Sequence, residues 1–411
     1  MSYLDLVSLE KLEMAPAGFK PTVIVKVGTS SIMRERQDNP QAWNDPATAA
    51  GEGLNSSQGE LALSTLALIV DTLIALKRAG FWVVLVTSGA VGVGCRRLGI
   101  KTRPSRIAEK QALAAVGMGR LMHHYEELFA IANESTALVL VSRSDFGKKS
   151  KFINIQNTLH ELFKLGVIPI INENDTVTSN DFKFGDNDRL SALVAGMVFA
   201  RYLFLLTDVD RLYTADPRNN PSAKPIETVV DLEELDLNVN SSGKGGTQWG
   251  TGGMETKLAA AKLATAGGSK VVIIHGRKPE RILDFVLERE NKIGTVFLGS
   301  RTPVSSARKL WILHGLVPSG GIEIDAGAVR AVINKKSLFA VGVRKITGTF
   351  FQDGAIRIFN KDGSEIGRAI TNYDSSDLVK ILGSKSNKIE EILGERAGPE
   401  EVVHRDNLVL F

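Results

Sequence analysis

Six short apolar runs, each closing on small or polar residues, leave this chain few architectures to choose from. They are Thr22–Val27, Phe81–Val86, Ala137–Val141, Val167–Ile171, Tyr202–Leu206 and Lys270–His275. Between and around them, Leu61–Ala79, Glu109–Ala132, Asn157–Leu165, Arg189–Ala200 and Leu258–Ala266 read as helices. Continuous apolar strands suit a parallel sheet covered on both faces. Strand and helix in alternation predict an α/β domain of three layers, α/β/α. In such open sheets ligands bind outside the carboxyl ends of the strands. Lys26, Ser88, Asn172, Asp175 and Thr207 all lie at or just past such ends.

Beyond about Pro303 the texture changes. Short strands are expected at Leu310–Leu313, Gly321–Ile324, Lys345–Phe351, Ala355–Phe359 and Glu365–Ile370. Turns such as Asp353-Gly354 and Lys361-Asp362-Gly363 separate them. The expected organisation is a first domain over 1–303 and a small, mostly β domain over 304–411, joined by a linker at Val304–Arg308. Arg34–Gly59 is polar, without periodicity, and reads as a surface loop.

The 50 basic and 46 acidic residues leave a net charge of +4, too mild an excess to point to nucleic acid by itself. Cys95 is the single cysteine, which excludes an intrachain disulfide framework and a cysteine-rich metal site. No run is long and apolar enough to span a bilayer, and Met1–Met14 lacks the regions of a secretory signal. A cytoplasmic protein with no membrane partner is the expectation.

The chemistry concentrates in a few turns. Gly250, Thr251, Gly252, Gly253, Met254, Glu255, Thr256 and Lys257 lead straight into a helix. Glycines there let backbone N–H groups converge on an anion, and the helix dipole and a lysine add positive charge. Taken alone, these residues also allow a flexible linker that happens to precede a helix. Lys26 sits inside an apolar strand beside Gly28-Thr29-Ser30-Ser31, where it meets a bound anion or snorkels from an edge. Acceptors follow at Asn172, Glu173, Asp175, Asp186, Asn187 and Asp188. There is no P-loop and no complete dinucleotide fingerprint. His123-His124 reads as a helix-surface pair without a metalloprotease glutamate, and the other histidines are scattered. Lysines and backbone amides suit a polyphosphate, and carboxylates and amides suit an ammonium. That is an inventory for phosphoryl transfer to a small amino-bearing acceptor. A carboxylate acceptor is already ionised at neutral pH and needs no general base.

Several of these segments together resemble the amino acid kinase family. They are Val25–Ser30, Thr87–Val91, Asn172–Asp175, Gly185–Asp188, Leu206–Asp208, Tyr213–Arg218 and Gly250–Lys257, and the tail resembles a PUA domain. The resemblance is strongest to members acting on L-glutamate. It implies transfer of the ATP γ-phosphoryl group to the γ-carboxylate of L-glutamate, opening proline synthesis. Lys26 and Lys257 would neutralise charge on the transferring group, and Asp188 would hold both lysines. Ser88, Asp175 and Asn187 would bind glutamate, with Gly89, Ala90 and Asn172 close by. Lys26, Thr207, Asp208 and the loop Thr251, Gly252, Gly253, Met254, Glu255, Thr256 and Lys257 would bind ATP. Mg²⁺ would be held chiefly by the phosphates. Feedback inhibition by proline and a homo-oligomer built on the kinase domain are further implications.

Two departures from the family pattern stand out, the long 34–59 segment and the run near 240–250 ahead of the nucleotide loop. The rival acceptors are N-acetylglutamate and aspartate. RNA binding through the PUA-like domain is the reading from another class. Its tail mixes Lys335, Lys336, Arg344 and Lys345 with many acids, which favours a structural or regulatory role.

Overall fold

The computed structural model describes residues 20–35, 59–100, 102–146, 149–177, 186–215, 220–230, 232, 253–300, 309, 312–313, 316–394 and 398–410. The chain divides into two compact units, Met1–Ser142 with Asn157–Arg301, and Arg143–Gln156 with Thr302–Phe411.

The first unit is built on eight strands: β1 (Thr22–Val27), β4 (Trp82–Thr87), β5 (Thr136–Val141), β6 (Ile168–Glu173), β7 (Tyr202–Thr207), β10 (Thr228–Val229), β11 (Lys270–His275) and β12 (Thr295–Phe297). Their order across the sheet is β10-β12-β11-β7-β1-β4-β6-β5. All six apolar runs are strands, within about two residues of the expected ends. The six strands read from the sequence all run parallel, as expected. The sheet becomes mixed only beyond them, where β12 runs antiparallel to β11 and β10 runs parallel to β12. β10 and β12 are two and three residues long, too short for their patterning to be read from the sequence. Gly294 accommodates this edge, because a Cβ there would lie 2.0 Å from the Ile273 carbonyl oxygen.

Strand periodicity then decides what faces what. Val23, Val25 and Val27 of β1 enter one core with Leu66, Ile69 and Leu73 of α2 (Leu63–Arg78) and Leu121, Tyr125 and Phe129 of α4 (Ile107–Ile131). Thr22, Ile24 and Lys26 therefore point to the opposite face. There α6 (Asn187–Met197) packs on β1, β4, β6 and β7, and α7 (Met254–Ala266) packs on α6 and β11. A single lysine in an apolar strand is thus aimed at the first turn of a buried helix.

Among the helices of the first unit that the sequence reading missed, two border the strand ends. A short α1 (Thr29–Ile32) follows β1. The residues after β4, read as a turn, continue into α3 (Ala90–Arg97). Gly92 and Gly94 give α3 poor helix propensity, and packing overrides it. A Cβ on Gly94 would lie 2.0 Å from the Leu113 carbonyl oxygen, and one on Gly117 1.8 Å from that of Ala90. Backbone therefore meets backbone where α3 crosses α4. Of the segments read as insertions, only Arg34, Glu35 and Gly59 are described, where β2 (Met33–Glu35) pairs antiparallel with β3 (Gly59–Leu61). The rest of 34–59, the 240–250 run and the linker at 304–308 lie outside the described residues.

The second unit holds β13 (Gly320–Ile324), β14 (Leu338–Phe339), β15 (Val343–Gly348), β16 (Ala355–Phe359), β17 (Glu365–Ile370), β18 (Glu401–Val403) and β19 (Leu408–Leu410). Five of them form a sheet of order β15-β13-β16-β17-β19, and β14 pairs antiparallel with β18. Ile322, Ile324, Ile356, Ile358 and Ala369 centre its core. The expected strand at Leu310–Leu313 is absent from its described part, since Ile312 and Leu313 lie buried in a helical turn. A helix over Ala326–Ile333, unforeseen in the sequence, is capped by Asp325, whose side chain accepts from the Ala328 N–H at 2.8 Å. No helix among the described residues is long and apolar enough to cross a membrane.

Candidate active site

Asp188 lies in the first turn of α6, where its carboxylate meets two ammonium groups from distant segments of the chain. Lys26 Nζ is 2.5 Å from Oδ1, and Lys257 Nζ is 3.4 Å from Oδ2. Thr256 Oγ1 donates to Oδ2 at 2.7 Å. Asp188 is 1 % exposed, Lys26 4 % and Lys257 5 %, so all three charges are out of water. Burial alone would raise the carboxyl's pKa, but Lys26 and Lys257 outweigh it and hold it at about 2. Burial pulls the Lys257 pKa down against the attraction of Asp188. Two cations share one anion here, so the cluster keeps a surplus positive charge, which suits a phosphoryl group.

The residue before Asp188 faces elsewhere. Asn187 Nδ2 donates to Ser88 Oγ at 2.8 Å and to Asn172 Oδ1 at 3.0 Å. Ser88 is delivered by β4, whose end is pinned beside β1 through the Ser88 N–H bond to the Val27 carbonyl at 3.1 Å. Asn172 comes from the end of β6 and also touches Met118 of α4, Nδ2 to Sδ at 3.8 Å. Gly89 precedes α3 with φ of 106°, a left-handed conformation natural to glycine alone. Asp175 stands in the one-turn helix Asp175–Val177, against which α4 packs. Its pKa is raised to about 7 by burial first, then by the charge of Glu173, against the pull of Arg103. Asp175 Oδ1 and Asn187 Oδ1 are buried acceptors without a hydrogen-bond donor among the described residues. Orphaned acceptors of this kind call for a donor from a ligand, and an ammonium supplies three.

A third group lies across β7 and β11. Thr207 Oγ1 donates to Asp208 Oδ1 at 3.0 Å, and the Gly276 N–H reaches the Thr207 carbonyl at 2.7 Å. Gly253, Met254, Glu255, Thr256 and Lys257 are described at the start of α7, whereas Thr251 and Gly252 lie outside the described residues. The structure therefore brings Lys26, Asp188 and Lys257 into one cluster and Ser88, Asn172 and Asn187 into another. Asn187 and Asp188, adjacent in the chain, join the two. Met118 and Tyr125 of α4, which border the second cluster, were not singled out in the sequence, because on a helix they read as core. His123 and His124 lie along α4, where they pair with Glu127.

Known proteins are similar in sequence along nearly the whole chain. The model of the amino acid kinase family matches residues 21–275, and that of the PUA domain matches residues 320–393. A glutamate 5-kinase of Synechococcus sp. (strain ATCC 27144 / PCC 6301 / SAUG 1402/1) is 50% identical over 398 residues, 97% of this chain and 100% of the relative. That of Trichormus variabilis is 49% identical over 391 residues, 95% of this chain and 99% of the relative. Among solved structures, carbamate kinase from Giardia lamblia bound to AMP-PNP is 15% identical, covering 69% of this chain and all of its own, with a TM-score of 0.45. With a family match over more than half its length and relatives near half identical from end to end, the chain belongs to the amino acid kinase family, in its glutamate 5-kinase branch with a C-terminal PUA domain.

Proposed function

We propose that this chain is a glutamate 5-kinase, which transfers the γ-phosphoryl group of ATP to the γ-carboxylate of L-glutamate and so opens proline biosynthesis. The observation that carries this reading is the tandem of Asn187 and Asp188. One faces Ser88 and Asn172, the other Lys26 and Lys257, so an acceptor site and a phosphoryl site abut at a single helix turn. The names of relatives about half identical to this chain supply the substrate.

In this reading Asp175 and Asn187 receive the ammonium of glutamate. Ser88, Gly89, Ala90 and Asn172 orient its chain and γ-carboxylate. A γ-carboxylate oxygen attacks the γ-phosphorus, the bond to the β-phosphate bridging oxygen breaks, and ADP leaves with that electron pair. Lys26 and Lys257 offset the charge that spreads over the transferring oxygens, and Asp188 keeps both ammonium groups at one point. Thr207, Asp208 and the loop Thr251–Lys257 hold the nucleotide. Mg²⁺ would arrive with ATP, held chiefly by the phosphates, and would supply further charge neutralisation. Among the described residues no three His, Cys, Asp or Glu side chains gather into a metal cage. Proline as feedback inhibitor, a homo-oligomer and a cytoplasmic setting belong to the same reading.

The deciding experiment is ADP release from Mg·ATP with L-glutamate, N-acetylglutamate or L-aspartate, with and without proline. Turnover on L-glutamate alone, suppressed by proline, is expected. Turnover confined to another acceptor would discard the substrate.

A further inference from the structure

Tyr125 is wholly buried in the C-terminal third of α4 and has no part in the roles assigned above. Its hydroxyl lies 2.9 Å from Thr87 Oγ1, and Thr87 Oγ1 in turn donates to the Ser88 carbonyl at 3.2 Å. A carbonyl oxygen only accepts, and a threonine hydroxyl has a single proton. Thr87 therefore gives its proton to Ser88 and accepts from Tyr125. Burial raises the phenol's pKa, and it stays a donor throughout the working pH range. The chain of donation runs from Tyr125 through Thr87 to the Ser88 carbonyl.

That carbonyl belongs to the peptide unit whose N–H is that of Gly89. No cis peptide bond occurs among the described residues. In a trans unit C=O and N–H point to opposite sides, so fixing the Ser88 oxygen also fixes the Gly89 N–H. The unit needs an outside hold, because Gly89, at φ of 106°, offers little resistance to a peptide flip. The hold is itself rigid. Gly117, Leu121 and Tyr125 lie at i, i+4 and i+8 and are all buried in α4. A Cβ on Gly117 would be 1.8 Å from the Ala90 oxygen and 2.5 Å from the Gly94 nitrogen. Backbone contact thus sets the register of α4 against α3, and Tyr125 two turns on inherits it.

We propose that Tyr125 is a positioning residue of the acceptor site: through Thr87 it locks the Ser88–Gly89 peptide so that the Gly89 N–H faces the acceptor carboxylate. This rests on the reading in which Gly89 binds glutamate.

The test uses the full chain. Tyr125→Phe removes one oxygen and leaves the packing intact. It is expected to raise KM for L-glutamate about five-fold, the size that one net hydrogen bond commands, with KM for ATP unchanged. Thr87→Val should shift the same constant, and Thr87→Ser, which keeps the hydroxyl, should stay near the parent value. The Tyr125→Phe/Thr87→Val double variant should be no worse than Thr87→Val, since both cut one chain. Equal shifts in both KM values, or a lower Tm with neither moved, would reduce Tyr125 to a core residue and overturn the lock. Parent protein active on glutamate with Tyr125→Phe unmoved overturns the lock alone. Parent protein inactive on glutamate overturns the acceptor reading together with the lock.

Discussion

Asp188 and Lys26 stand 2.5 Å apart, the one from the first turn of a buried helix and the other from the central strand of the sheet. Lys257 completes the cluster on the second carboxylate oxygen. The arrangement is costly without a phosphate, since two desolvated ammonium groups share one anion.

Loss of either lysine should be felt in turnover before it is felt in the fold. Lys26→Ala and Lys257→Ala are each expected to lower kcat by about a hundred-fold or more, as removal of a transition-state donor does. Asp188 keeps one partner in both variants, so circular dichroism should remain that of the parent. Near-normal kcat in either variant would remove that lysine from the charge clamp.

Asp188→Asn should act on stability. It leaves two buried ammonium groups without a counter-ion, a loss of about 3–5 kcal/mol. The native carboxyl is depressed from 3.8 to about 2. Its stabilisation is therefore complete above its ordinary value and lost only as pH falls through about 2. The Tm gap between parent and variant should be flat near neutrality and narrow only in acid. A gap that closes toward neutral pH would assign the stability to another group.

Asp175 has the opposite sign. Its carboxyl is raised from 3.8 to about 7, so ionising it costs the empty protein stability, and the cost grows as pH climbs to about 7. Asp175→Asn should raise Tm at about pH 8 and change it little at about pH 4. Function should move the other way. KM for glutamate should fall in the parent as pH rises through about 7 and the ammonium partner becomes charged. The variant should show a raised KM without that pH dependence, and ATP should be little affected. A parent KM for glutamate that ignores pH would place the ammonium elsewhere.

Gly89→Ala meets two obstacles. The left-handed φ of 106° strains any residue with a Cβ, and that Cβ would fall 2.5 Å from Ile32 Cδ1. A destabilisation of about 1–2 kcal/mol is expected, with a raised KM for glutamate. Thermal denaturation and steady-state kinetics on the same preparation check both. An unchanged KM for glutamate would remove Gly89 from the acceptor site.

The sequence by itself determined the six apolar strands, the helices between them, and the placing of Lys26, Ser88, Asn172 and Thr207 at strand ends. Those follow from local patterning, which needs only the neighbours along the chain. It determined the family as well, because several motifs in order are far more specific than any one. What the tertiary structure decided is which of those residues meet. The pairing of Lys26 with Asp188, and the division of labour between Asn187 and Asp188, depend on which face of β1 the helix α6 covers. Periodicity gives two faces without saying what lies on each. The antiparallel β12, the helix α3 built on glycines and the hydroxyl chain from Tyr125 to Ser88 were illegible for the same reason. Each is set by contact between segments distant in sequence, where packing overrides local propensity.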